Sequence, residues 1–231
     1  MQLTPAGPGV ITVVLLSAQN EDRGKSQMPQ QLSAHDVEQI FPEVLEIGEA
    51  RLRGAVTEIW QDIAKEMSWS SLDEIPKNLR SEKERTLVEH IRGVTLMALH
   101  ICETAQKIQG KPFDRDLLLA ACLLHDVSKP LECEPDPNGA GDNRRPRRGR
   151  KSELGRQLPH ATYATHLILK HGLSLELANL VVTHTHDIAI RGKTWEAAAL
   201  FYADFADSDA GRSAANDQMF VQRWVLNGGK E

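Results

Sequence analysis

A histidine and an aspartate stand side by side at the end of a long apolar run. Residues Leu117 to Leu124 are apolar almost without a break, and His125 and Asp126 follow them directly. Such a run indicates a helix buried inside an all-helical domain. An ionised aspartate at its end is costly unless a positive charge lies beside it. Imidazole nitrogen with carboxylate oxygen is a ligand set for Zn, Fe or Mn, and the alternative is an exposed His-Asp pair at a helix end.

A second histidine lies on the apolar face of a long predicted helix. His90, Val94, Met97 and Ile101 are spaced i, i+4, i+7 and i+11 and therefore form one stripe of that helix. The side chain of His90 is expected to point into the core. A lone histidine on such a face is usually a core residue, but the His-Asp pair further along favours a ligand.

Two later histidines and one aspartate occupy comparable positions. His160 lies at the start of a predicted helix, and His184 lies at the end of the next one. Asp204 shares a helix face with Ala197 and Leu200, which places a carboxylate on an apolar stripe. This second buried negative charge also needs a positive partner.

The order of these residues resembles that of the HD-domain superfamily of metal-dependent phosphohydrolases, over about residues 80 to 210. The segment from His90 to Ala98 is similar to the first-histidine helix of that family. Leu-Leu-His125-Asp126, with a lysine three residues on, is similar to its core motif, and Ala203-Asp204 is similar to its final ligand. The resemblance implies an all-α helical bundle, and apolar residues at helical spacing between about 43 and 67 predict a small N-terminal helical extension.

The resemblance also implies six metal ligands and their roles. One metal would be held by His90, His125, Asp126 and Asp204, and a second by His160 and His184, with Asp126 bridging. Two divalent ions (Fe, Mn, Zn, Co or Mg) would then activate a water and polarise a phosphoryl oxygen. Asp126 and Lys129 are the expected catalytic residues, and Lys129 and His186 are the expected substrate contacts.

Three functions are compatible with this resemblance. The first is hydrolysis of a phosphate ester or a nucleotide-type phosphoanhydride. The second is a mixed-valence di-iron oxygenase that cleaves a C–C or C–P bond with the same six ligands. The third is a non-catalytic module that metals stabilise, and the complete ligand set disfavours it.

The charge and composition of the chain indicate which classes of binding partner to expect. The net charge of −5 gives no reason to expect a nucleic acid polymer, and the longest apolar stretch near the N-terminus is too short to span a membrane. Three cysteines without CxxC spacing indicate reduced thiols in a cytoplasmic protein. The expected partner is a small anionic, phosphorylated substrate, and a homodimer is left open.

Four segments are expected along the chain. They are a disordered N-terminal segment (1–30), a helical extension (31–80), the HD domain (81–212) and a C-terminal helix with a tail (213–231). Capping-box patterns at Ser33–Asp36 and Ser81–Glu84 are predicted to begin the first helix and the helix that ends at Gly110.

Within the HD domain, residues 131–158 predict a basic loop insertion. The segment is rich in proline, glycine and charge and includes a run of arginines, which indicates an irregular loop. A solvated loop is the favoured interpretation, and a cover that brings positive charge to an anionic substrate is the alternative. Asp207 and Asp209, near the end of the last long helix, are expected to face solvent.

Overall fold

The structure is a computed structural model that describes residues 31–80, 84–139, 146–185 and 188–222. Helices form most of this part of the chain. The helices are α1 (Ala34–Ile40), α2 (Ala50–Glu66), α3 (Leu87–Gln109), α4 (Arg115–Leu124), α5 (Lys129–Glu132), α6 (Glu153–Gln157), α7 (Thr162–Lys170), α8 (Leu175–Thr183) and α9 (Trp195–Ala214). Three 3₁₀ turns lie at Pro42–Glu46, Leu72–Glu74 and Pro137–Gly139. The predicted all-α class is confirmed. The expected disorder of residues 1–30 and the expected role of His186 lie outside the described residues.

The apolar helix α4 is the centre of the bundle. Every residue from Leu117 to Leu124 is buried, and α4 packs against α2, α3, α8 and α9. A helix that is apolar on all sides is stable only when neighbours cover all of it, which is the arrangement seen here. The helix ends at Leu124, so His125 and Asp126 lie where its neighbours converge.

The first helix begins as its sequence predicts, and the helix that carries His90 does not. A capping box joins Ser33 and Asp36 at the start of α1. The capping box of α3 is formed by Thr86 and Glu89, so this helix begins at Leu87 and not near residue 81. The Thr86 hydroxyl accepts a hydrogen bond from the Glu89 amide, and the Glu89 carboxylate accepts one from the Thr86 amide, which satisfies two free amide groups at the helix start.

The C-terminal end of α3 lies where the sequence predicts it, and the buried face of this helix is close to the predicted one. Gly110 ends the helix with a left-handed φ of 68°, as predicted, because glycine adopts this conformation without strain. The buried stripe is rotated slightly from the predicted one. Met97 is 36% exposed, whereas Ala98 is fully buried. His90 is fully buried, as expected.

Residues 31–80 pack on both ends of α4. The indole of Trp60 donates a hydrogen bond to the carbonyl oxygen of Leu123 (3.2 Å). At the opposite end, the carboxylate of Asp116 accepts hydrogen bonds from the backbone amides of residues 48 and 49 (3.0 and 2.8 Å). The extension therefore fixes the helix that leads to His125.

The segment predicted as an irregular basic loop is partly regular. It contains the end of α5, a two-stranded antiparallel hairpin of β1 (Cys133–Pro135) and β2 (Gly149–Lys151), and α6. The interpretation as an irregular loop is wrong for these parts, because backbone pairing such as that of Cys133 with Lys151 orders a segment whose composition is typical of loops. Among the described residues, no helix combines the length and the apolar composition needed to cross a membrane.

Candidate metal centre

Six side chains converge at the end of α4. They are the six predicted ligands, His90 from α3, His125 and Asp126 after α4, His160 before α7, His184 after α8 and Asp204 from α9. The Nε2 atom of His90 lies 3.2 Å from Asp126 Oδ2 and 3.3 Å from Asp204 Oδ1. The Nε2 atom of His160 lies 2.8 Å from Asp126 Oδ1. Residues up to 114 positions apart are thus brought to one point by the packing of separate helices.

Two of the histidines are oriented by backbone carbonyl groups. The Nδ1 atom of His125 lies 2.6 Å from the carbonyl oxygen of Cys122, and that of His184 lies 2.6 Å from the carbonyl oxygen of Val181. A carbonyl oxygen only accepts, so each Nδ1 carries the proton and donates. The lone pair of each neutral ring is therefore on Nε2, the atom that faces the centre.

The other two histidines are oriented by carboxylates. The Nδ1 atom of His90 lies 2.6 Å from Asp207 Oδ2, and that of His160 lies 2.9 Å from Glu132 Oε2. A carboxylate on the outer nitrogen fixes the ring and makes the inner nitrogen a stronger ligand. All four rings therefore present Nε2 to the same place.

Asp126 lies in the middle of this arrangement. Its side chain is 1% exposed, and Lys129 Nζ lies 2.7 Å from Oδ2 as an ion pair. Neither carboxylate oxygen accepts a hydrogen bond of normal geometry from the described residues. Lys129 offsets part of the charge of this buried carboxylate, and the Nε2 lone pairs of His125 and His184 point to the same place. The donor set therefore fits a metal ion.

Five of the six predicted ligands form two overlapping groups, and His160 belongs to neither, although its Nε2 atom lies beside Asp126. One comprises His90, His125 and Asp204, and the other His125, Asp126 and His184, with the ligand atoms of each group within 4.8 Å of one another. His125 is common to both groups. The family resemblance instead implies that Asp126 is the residue shared by the two metals. The assignment of each ligand to one metal stays a prediction.

Burial and charge divide the four histidines into two pairs. Burial lowers the pKa of His125, and it lowers the pKa of His184 to about 3. Burial also opposes protonation of His90 and His160, but neighbouring carboxylates outweigh it and raise the pKa of each to about 9. For Asp126, burial is outweighed by the nearby Lys129 ammonium and by His160, so its pKa lies well below the usual range.

Asp207 contacts the candidate site, and the sequence interpretation placed it wrongly. Its side chain is 6% exposed instead of facing solvent, and Oδ2 contacts both His90 Nδ1 and Arg85 Nη2 (2.6 Å each). Asp207 is three residues after Asp204, and this spacing puts both carboxylates on one face of α9. That spacing was the signal available in the sequence.

Gly93 on α3 allows Asp207 to reach His90. A Cβ atom at position 93 would overlap Oδ1 of Asp207. The helices α3 and α9 make the most extensive contact in the bundle, and the missing side chain lets α9 approach at this level. Asp209 also has a structural role, since its carboxylate accepts hydrogen bonds from the amides of Phe220 and Val221 (2.5 and 3.1 Å).

The centre opens into a cavity of about 1010 Å³. Among the described residues, six lysine and arginine side chains line it, namely Lys77, Arg80, Lys129, Arg150, Lys151 and Arg156. Three of these belong to the segment interpreted as a solvated basic loop. Their side chains are exposed, as expected. However, the hairpin and α6 place them on the cavity that Asp126 also lines, whereas the favoured interpretation gave this segment no part in the site.

Comparison with known proteins gives two findings. The family model of the HD domain matches residues 87–210. A dihydroneopterin 2',3'-cyclic phosphate phosphodiesterase from Methanocaldococcus jannaschii is 30% identical over 141 residues, which are 60% of this chain and 53% of that protein. The chain thus spans about half the length of this curated relative. No solved structure matches.

Proposed function

The chain belongs to the HD-domain family, as its motifs predicted, and from this premise we propose that its buried centre binds divalent metal ions and hydrolyses a phosphodiester. The observation that carries the proposal is the position of Asp126. It lies among four imidazole Nε2 atoms on one side and borders a cation-lined cavity on the other. Metal ligands and an anion-binding surface therefore meet at one carboxylate.

The six convergent ligands would hold the metal. Bound divalent ions supply a Lewis acid for a phosphoryl oxygen and a water acidic enough to attack near neutral pH. Asp207, Glu132 and the two backbone carbonyl groups keep the imidazole lone pairs aimed at the centre. Lys129 places a positive charge at the edge where a phosphate would enter.

The choice of a phosphodiester has two supports. The relative from M. jannaschii is named for a cyclic phosphodiester substrate. The cavity also has an apolar wall that includes Leu79, Phe205 and Phe220, beside its cations. Such a wall suits the organic group of an ester better than it suits free inorganic phosphate. The di-iron oxygenase remains the second prediction, and the same protein preparation tests both.

The test begins with protein purified without added metal. Elemental analysis is expected to find divalent metal, and anaerobic protein supplied with Mn or Co is expected to hydrolyse bis(p-nitrophenyl) phosphate and nucleoside 2',3'-cyclic phosphates. Iron-dependent O₂ consumption with a polyol or a phosphonate, without ester hydrolysis, would replace this proposal by the oxygenase. Protein that binds no metal would overturn both.

Replacing His160 by alanine is expected to lower the metal content from about two to about one ion per chain. The reason is that His160 contacts Oδ1 of Asp126, whereas His90 contacts Oδ2, and that Glu132 orients His160. Elemental analysis after gel filtration measures this. His166→Ala is the matched control, since this exposed histidine lies on the adjoining helix. An unchanged metal content in His160→Ala would mean that His160 holds no metal.

Replacing Lys129 by alanine is expected to raise KM by about 10- to 100-fold, the loss of one charged hydrogen bond to phosphate. Metal content should change much less, because an ammonium group cannot ligate a cation. Titration of metal content beside steady-state kinetics separates the two effects, with Lys65→Ala on the surface as control. Loss of metal with an unchanged KM would make Lys129 a structural partner of Asp126 instead.

A further inference from the structure

We infer that the part of the cavity away from the metal centre is a second anion-binding subsite, formed by Arg150, Lys151, Arg156 and Arg80. Its ligand would be a second phosphate group on the substrate, separate from the phosphate that is cleaved. The inference rests on the proposed function, and it adds that the substrate carries a second phosphate group besides the one that is cleaved.

The charges that line the cavity are unevenly distributed. Its acidic lining residues are Asp126, Glu132 and Asp204, and each is engaged at the metal centre or holds one of its histidines. Within the described part of the chain, the other charged residues that line the cavity are basic. Clustered charges of one sign on the wall of a concave surface raise the local concentration of oppositely charged ligands. The surface beyond the metal centre therefore favours an anion.

The hairpin that carries Arg150 and Lys151 is fixed in place. A Cβ atom at Gly149 would lie 2.9 Å from Leu79 and 3.0 Å from Trp69, so the backbone of β2 is in close contact with both. The indole of Trp69 also donates a hydrogen bond to the carbonyl oxygen of Cys133 on the paired strand (2.9 Å). Glu134 holds Nε of Arg150 at 2.8 Å and orients its guanidinium group. These contacts distinguish the subsite from a run of surface charges on an unrestrained loop.

Helix α6, which carries Arg156, is attached to the segment that supports the metal centre. A Cβ atom at Gly155 would overlap the carbonyl oxygen of Glu132, so the two backbones are in direct contact. The amide of Ser152 donates a hydrogen bond to the same carbonyl (3.0 Å), and Arg156 Nη1 donates one to the carbonyl oxygen of Lys151 (2.7 Å). Because Glu132 also holds His160, the subsite and the centre share one support.

The size of the cavity agrees with a ligand larger than one phosphate. A volume of about 1010 Å³ is at the upper end of the range for pockets that hold drug-sized molecules. A phosphate at the metal centre would occupy a small part of it. The remaining space borders the four cations and has room for an organic group with a further phosphate.

The test compares two substrates that differ by a single phosphate. They are adenosine 2',3'-cyclic phosphate and the same compound phosphorylated on its 5'-oxygen. We expect metal-loaded wild-type protein to have a KM about 10-fold or more lower for the 5'-phosphorylated compound. In Arg150→Gln/Lys151→Gln/Arg156→Gln this ratio should fall to about one. The matched control is Lys107→Gln/Lys111→Gln/Lys170→Gln, which removes three exposed positive charges elsewhere and should keep the ratio.

A binding measurement keeps the subsite testable apart from catalysis. Isothermal titration with adenosine 3',5'-bisphosphate and with adenosine 5'-monophosphate should show the same preference for the second phosphate, and the same loss of it in the triple variant. If no ester is hydrolysed but the binding preference is lost in the variant, the proposed function fails and the subsite stands. If esters are hydrolysed and the variant keeps the wild-type ratios, the subsite is wrong.

Discussion

Replacing Asp126 by asparagine is expected to abolish hydrolysis and to weaken metal binding by more than about 100-fold. Changes in residues that only support the ligands weaken metal binding by up to about 100-fold, and the loss of a ligand should weaken it more. The substitution keeps the volume of the side chain but removes its charge. It also turns one oxygen into an NH₂ group that faces imidazole nitrogens 2.8 to 3.8 Å from the carboxylate. Metal titration with a fluorescent chelator as competitor measures the loss.

The matched control is Asp62→Asn, since Asp62 lies on the surface of α2 and pairs with Lys65. It should keep both the metal content and the activity. An Asp126→Asn protein that is folded and retains the full metal content would refute the assignment of Asp126 as the central ligand, and with it the proposed function. Circular dichroism and the thermal unfolding midpoint establish that the variant is folded.

Replacing Asp207 by alanine is expected to lower the free energy of unfolding by about 3 kcal/mol, the effect of leaving a buried charge without its partner. Nδ1 of His90 loses its carboxylate acceptor, and the guanidinium group of Arg85 loses one carboxylate oxygen while it keeps the backbone carbonyl oxygen of residue 207. Metal affinity should also fall about 10- to 100-fold, because the ring of His90 is no longer held in one orientation. Urea denaturation and metal titration measure the two effects.

Asp207→Asn separates orientation from charge. Its amide oxygen can still accept a hydrogen bond from His90, so metal affinity should recover in part while stability stays reduced. Asp73→Ala, at an exposed position of a 3₁₀ turn, is the control. A change below about 0.5 kcal/mol in Asp207→Ala, the range of ordinary surface substitutions, would show that Asp207 does not support the centre.

The sequence predicted the parts of the site that local patterns encode. The apolar run before His125 specifies a buried helix, and helical spacing turns His90 and Asp204 toward each other, with Nε2 of His90 3.3 Å from Asp204 Oδ1. For these residues the period of the helix and its end determine where the side chain goes. The start of α3 was misplaced because Ser81–Glu84 and Thr86–Glu89 both fit a capping box, and only the packing of the helix decides between them.

The supporting residues could not be predicted in the same way. Glu132 holds His160 across 28 positions, and neither residue lies in a periodic pattern that points to the other. The basic segment was interpreted by composition alone, which cannot show that Gly149 and Gly155 let it pack against the rest of the site. Asp207 was assigned to solvent because it lies late in its helix, yet α9 continues to Ala214 and keeps this turn inside the bundle.

Gly93 has a consequence for the interpretation of mutational tolerance. In a saturation library, substitutions at position 93 should be depleted as strongly as substitutions of metal ligands, although glycine has no side chain to offer the reaction. The cause is spatial exclusion, since any added atom occupies the place of an Asp207 oxygen. Depletion at this position therefore reports the close approach of two helices, and a ranking of residues by intolerance alone would mistake it for chemistry.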